Sequence, residues 1–142
     1  MEYPALFERA EEGGFVITFP DFEWGITQGD DETEAWEIAA DALSTMIQEH
    51  IRKGEDLPRA SRPRGRKYRM IPLAASQSME AELYAALRTS GIGKAEFARL
   101  LGIPTTTMDR LFDFRYRARL DQIESAFAAL GKRLAVEVQD AA

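Results

Sequence analysis

The sequence predicts an α+β chain in two parts. An N-terminal β-β-β-α-β unit is followed by an all-α unit that carries a helix-turn-helix and ends in one further strand. Three observations carry this. β-Branched and aromatic residues gather in short runs before residue 30, as strands prefer. From residue 32 the apolar positions switch to three- and four-residue steps, the helical period. After residue 75 come several short helical blocks, two of them closed by a glycine, Gly102 and Gly131.

The elements follow in order. Residues 3–8 (YPALFE) read as a strand, and Glu11, Glu12, Gly13 and Gly14 as the turn of a hairpin, with glycines free to take positive φ. FVITF at 15–19 is the returning strand, broken by Pro20 and Asp21, and 25–28 forms a third short strand closed by Gly29. Between 32 and 53, Trp36, Ala39, Ala40, Leu43, Met46, Ile47 and Ile51 make one apolar stripe. Asp31 with Glu34 starts this helix as a capping box does, and Gly54 ends it. YRMIPL at 68–73 is another strand, placed at an edge by its proline. Helices are then expected at 77–90, 94–101, 104–112 and 121–130. RLAVEV at 133–138 alternates with period two and reads as a terminal strand. The division is therefore 1–57 with 68–74 as one domain, 58–67 as a basic, proline-containing connection exposed to proteases, and 75–142 as the second domain.

Charge divides the chain in the same way. The net charge of −6 over 142 residues conceals −12 in residues 1–57, +6 in 58–75 and zero in 76–142. The acidic unit suits a basic partner. Zero cysteines exclude a disulfide framework and a thiolate metal site, and the single histidine, His50, excludes any site built on two imidazoles. The acidic start MEYPALFERAEE lacks the layout of a signal peptide and no apolar run approaches a membrane span, so the expectation is a soluble cytoplasmic protein without membrane contact.

The stretch GKAEFARLLGIPTTTMDRLF (93–112) carries the most specific local signal. Two helices crossing tightly need a small residue at the contact, here Ala98, and a glycine in the turn, here Gly102. Ile103, Met108 and Leu111 would pack the second helix on the first. Thr105, Thr106, Thr107, Asp109 and Arg110 would then meet DNA, where Thr touches base edges or phosphates and Arg binds guanine in bidentate fashion. Lys94, at the start of the first helix, and Arg115 and Arg117, after the second, would add backbone contacts. The net charge of 93–119 is only +3, which predicts a dimer reading two half-sites. The terminal strand, unpaired in its own domain, is where the two copies would meet.

The segment YPALFERAEEGGFVITFPDFEWGITQGDDETEAWEIAADAL (3–43) resembles the opening of the HicB antitoxin family of bacterial toxin–antitoxin systems. The matching features are the Tyr-Pro strand, the acidic Gly turn, Phe-Pro-Asp, Thr-Gln-Gly and the Ala-rich helix. The helix-turn-helix tail is similar to that of one branch of the family. One departure is Glu23-Trp24-Gly25 where many members have Pro-Gly-Cys. The resemblance implies a partly degraded RNase H-like N-terminal domain that neutralises a small basic HicA-type toxin, an mRNA-cleaving ribonuclease. It also implies repression of the operon through operator double-stranded DNA, by a homodimer or higher oligomer, with no catalysis and no cofactor.

Candidate toxin-binding residues are Phe22, Glu23, Trp24, Asp30 and Asp31. The two aromatics serve either as local core or as an exposed anchor, and the carboxylates as a basic partner's counter-charges. Two other readings stay open. One is a stand-alone regulator whose N-terminal domain senses a ligand. The other is a metal-dependent nuclease, which would need converging carboxylates, whereas those of 1–57 fall in turns and on a helix start.

Overall fold

The computed structural model describes residues 1–23 and 26–141. Strands β1 (Glu2–Arg9), β2 (Phe15–Thr18) and β3 (Ile26–Gly29) precede helix α1 (Glu32–Lys53). Strand β4 (Tyr68–Pro72) and helices α2 (Ala75–Ser90), α3 (Lys94–Leu101), α4 (Thr105–Arg110) and α5 (Leu120–Ala129) follow. The four strands form one sheet of order β3-β2-β1-β4 with every neighbouring pair antiparallel. The register Tyr3↔Ile71 and Phe7↔Ile17 aligns apolar side chains on one face, as the two-residue period of a strand requires. Tyr3, Ala5, Phe7, Ile17 and Ile71 are all buried there.

Helix α1 covers that face with Ala35, Ala39, Leu43, Met46, Ile47 and Ile51. This differs from the expected stripe at its first turn. Ala35 is fully buried while Trp36 is 38 % exposed and packs at the rim, 6.5 Å from the Phe7 ring. The reason is how closely β3 approaches the helix. A Cβ on Gly29 would lie 2.5 Å from the Ala35 Cα and 2.9 Å from its Cβ. Only glycine against alanine fits, and the indole is displaced to the side. Asp31 caps the helix by accepting from the Glu34 N–H at 2.8 Å, while the Glu34 carboxylate accepts from the Asp30 N–H at 2.6 Å, one residue before the expected partner.

The connection between α1 and β4 carries no helix or strand over 55–64, but its first half is pinned. The Tyr3 hydroxyl donates to the Pro58 carbonyl at 2.6 Å, the Ser61 N–H to the Asp21 carboxylate at 3.0 Å, and Arg62 pairs with Glu2 at 3.0 Å. Helices α2–α5 bury Leu83, Tyr84, Leu87, Phe97, Ala98, Met108, Leu111, Phe112, Ile123, Ala126 and Phe127. In α3, Leu100 is 56 % exposed, while Ala98 is buried against the neighbouring helices as expected. These residues and those of the sheet layer belong to one continuous core. Contacts also cross the boundary near residue 74. The Tyr84 hydroxyl donates to the Glu55 carbonyl at 2.6 Å, and Arg88 pairs with Asp56.

The terminal strand is corrected. Residues 133–138 form no ladder among the described residues, and Val136 and Val138 are 73 % and 92 % exposed. A strand exists through its partner's hydrogen bonds, and a single chain offers this segment none.

The Gly29–Ala35 approach yields a test. Gly29→Ala forces the helix start away from the sheet, so it is expected to destabilise the fold by about 2–3 kcal/mol. Chemical denaturation would show this as a lowered midpoint at unchanged slope; an unchanged midpoint would mean that the contact tolerates a methyl group.

Candidate functional site

The turn between α3 and α4 is built as its sequence requires. Gly102 adopts the left-handed conformation at φ 66°, and the Ile103 N–H donates to the Ala98 carbonyl at 3.0 Å, closing α3. Met108, with Leu111 just beyond α4, is buried. Thr105, Thr106, Asp109 and Arg110 are consequently exposed together along the short helix. Lys94, in the first turn of α3, reaches Asp109 at 3.7 Å and lies 5.8 Å from the Phe112 ring centroid. Thr107 stands apart. It is half-buried and lines a small groove with Ile103, Leu111 and Gln122, facing α5 rather than the outer surface.

The segment following α4 carries the remaining arginines. Arg115 is held by the Asp113 carboxylate, with its Nη2 at 2.7 Å, and this pairing keeps the Asp113 carboxyl below its ordinary range. The guanidinium groups of Arg110 and Arg115 lie 5.1 and 5.8 Å from the Tyr116 ring centroid, within cation–π range. Arg119 pairs with Asp121 at 2.7 Å. Arg99, Arg110 and Arg117 are exposed and make no ion pair among the described residues. These pairings lie at the surface and are of the kind worth at most about 1 kcal/mol.

Two residues that anchor this segment were missed at the level of sequence. Gln48, on α1, donates from Nε2 to the Phe112 carbonyl at 3.0 Å and accepts the Phe114 N–H at Oε1 at 2.6 Å. Nothing in the α1 pattern distinguishes it from other polar positions. Glu80, on α2, is 3 % exposed and accepts the Ala118 N–H at 3.2 Å. Here a signal was available. Glu80 falls on the stripe of Leu83, Tyr84 and Leu87, where a carboxylate needs a buried partner.

In the acidic unit the candidates separate. Phe22 is buried, edge-on to Tyr3 at 5.1 Å and to His50 at 5.4 Å, so it belongs to the core and is no exposed anchor. His50 likewise packs inward, its Nδ1 2.9 Å from the Met46 carbonyl. Asp31 is exposed but its carboxylate is engaged as the α1 cap. Glu23 and Asp30 are exposed. Trp24 lies outside the described residues. Exposed Glu32, Glu37 and Asp41 extend the same negative surface along α1, and Glu32 is paired with Arg69 at 2.5 Å. Among the described residues no group of His, Asp and Glu is placed to hold a metal ion, and no helix is long and apolar enough to cross a membrane.

Comparison with known proteins bears on both surfaces. Residues 2–82 match the family described as HicB_like antitoxin of bacterial toxin-antitoxin system. The chain belongs to the HicB-like antitoxin family. Antitoxin HicB 1 of Photorhabdus laumondii is 31 % identical over 139 residues, covering 98 % of this chain and 88 % of that protein. Antitoxin HicB of Escherichia coli K12 is 33 % identical over 136 residues, covering 96 % and 98 %. The crystal structure of the Burkholderia pseudomallei antitoxin HicB superposes with a TM-score of 0.46 at 14 % identity, over 70 % of this chain and 93 % of that one. The match at 2–82 takes in the sheet, α1 and the first half of α2. The two relatives extend the likeness over α3–α5. The likeness of this HicB-like antitoxin to them therefore takes in both the sheet layer and the helical part.

Burial of Glu80, aided by the nearby Asp113 charge and opposed by the Ala118 N–H, pushes its carboxyl from an ordinary 4.5 up to about 7. Between these values the folded chain holds a proton that the unfolded chain releases, so stability falls as pH rises through that window. A loss of about 2–3 kcal/mol between pH 5 and pH 8 is expected, and Glu80→Gln should remove most of it. Thermal melts of both proteins across that range test this; parallel pH profiles would contradict it.

Proposed function

We propose that the chain neutralises a HicA-type mRNA-cleaving ribonuclease toxin by binding it directly through the acidic unit. It also represses its own operon by binding operator DNA through α3, α4 and the segment that follows. It acts by binding rather than by catalysis. The observation that carries this is the separation of charge. Residues 1–57 hold a net −12, with Glu23, Asp30, Glu37 and Asp41 exposed. Lys94, Arg110, Arg115 and Arg117 surround the exposed threonines of α4. Two partners of opposite charge fit two surfaces of one chain.

The operator contacts divide by chemistry. Arg110 has the reach and fork geometry for a base edge, whereas Lys94, Arg115 and Arg117 suit phosphates. Thr105 and Thr106 are placed for either, and Asp109 positions Lys94. Thr107 supports α4 from beneath. A homodimer is the assembly that a weakly basic reading head needs. The exposed alternating segment 133–138 supplies an edge for pairing with its copy, which would complete the ladder absent from the single chain. The RNase H-like character of the first unit rests on the resemblance in sequence.

Operator titrations and toxin co-purification test the division of labour. Arg110→Ala is expected to weaken binding to the chain's own promoter duplex by about 1–3 kcal/mol and to relax base preference. Arg117→Ala should weaken every duplex alike and lower the salt slope by about 1. Both variants should still co-purify with a co-expressed HicA-type toxin and rescue growth. Loss of rescue together with DNA binding would overturn the assignment of the two surfaces.

A further inference from the structure

We infer that Gln48 is a positioning residue for DNA contact. Carried on α1 of the acidic unit, its carboxamide fixes the segment that presents Arg115 and Arg117. The inference rests on the reading that these arginines meet operator phosphates. Its basis is the pair of bonds at 3.0 and 2.6 Å to the Phe112 carbonyl and the Phe114 N–H, bridging residues 64 and 66 positions away in sequence. The two main-chain groups present an acceptor and a donor side by side. Only a carboxamide answers both with a donor and an acceptor on one planar group. Glutamate offers acceptors alone, and leucine neither.

The segment needs such an anchor. Between α4 and α5 the chain has turns but no helix or strand. Its internal bonds are few, such as Tyr116 N–H to the Asp113 carbonyl at 2.9 Å. Gln48 holds it at 112 and 114, and Glu80 holds it at 118. Arg115, Tyr116 and Arg117 lie between these two points, all exposed. A strap fixed at both ends has less freedom to lose when its arginines dock. Gln48 also lines an open groove of about 720 Å³ between α1 and this strap, with Ser44, Thr45, Phe114 and Arg115. The helix that carries the acidic surface therefore also sets where the basic one points.

The test uses the full chain with a duplex of its own promoter region, titrated at several salt concentrations. Gln48→Leu and Gln48→Glu should each lower affinity about tenfold and reduce the salt slope by about 2, the two phosphate contacts of Arg115 and Arg117. Changing Arg115 and Arg117 to Ala should cost less in the Gln48→Leu background than in the natural chain. Affinity within twofold and an unchanged slope in Gln48→Leu, where the arginine changes still weaken binding, would overturn the proposal. If the natural chain does not bind the duplex, the DNA reading fails by itself. The positioning claim is then decided by amide exchange. Faster exchange at 112–118 in Gln48→Leu with α5 unchanged supports it, and unaltered exchange refutes it.

Discussion

The structure depends on helix α1 being seated flush on the sheet, and that seating depends on one contact without room for a single methyl group. Gly29 at the end of β3 meets Ala35 in the first full turn of α1. From that point the buried stripe runs through Ala39, Leu43, Met46, Ile47 and Ile51 along the helix. The helix is long enough that its start and its end serve different neighbours. Its first turn meets β3 at Gly29 and presents carboxylates. Its last turns hold Gln48 against the strap and lead into Glu55 and Asp56, which α2 engages through Tyr84 and Arg88. A displacement at Gly29 would be carried down a rigid element into the helical half.

Charge is distributed with the same economy. Arg62 of the connection folds back onto Glu2, and Arg69 of β4 onto Glu32. Around α4, aspartates hold Lys94 and Arg115 in place. Exposed pairs of this kind add little stability, but they hold long side chains in defined positions.

Much of this was legible in the residues. Period-two and period-3.6 patterns are local, so strands β1 to β4, α1 and the short helices after it could be read directly, and the Asp31 cap with them. What escaped reading were features set by tertiary contact. Trp36 fits the apolar stripe in sequence but yields its place to Ala35 because Gly29 is close. Phe22 sits in a loop yet is buried, since Tyr3, Phe19 and His50 converge on it. Thr107, expected to meet DNA, is half-buried instead, in a groove it shares with Gln122 of α5. The tail at 133–138 has the pattern of a strand but forms no ladder among the described residues. Gln48 could not be read at all, because its partners are main-chain atoms more than sixty residues away. The likeness to antitoxins was legible through Tyr3-Pro4, Phe19-Pro20-Asp21 and Thr27-Gln28-Gly29, and relatives aligned over nearly the whole chain bear it out.

Through α1 the acidic unit and the helical half form one body. Differential scanning calorimetry of the full chain tests this most directly. One cooperative transition, with calorimetric and van't Hoff enthalpies equal per cooperative unit, is the predicted result. Two resolved transitions, one for each half, would contradict it.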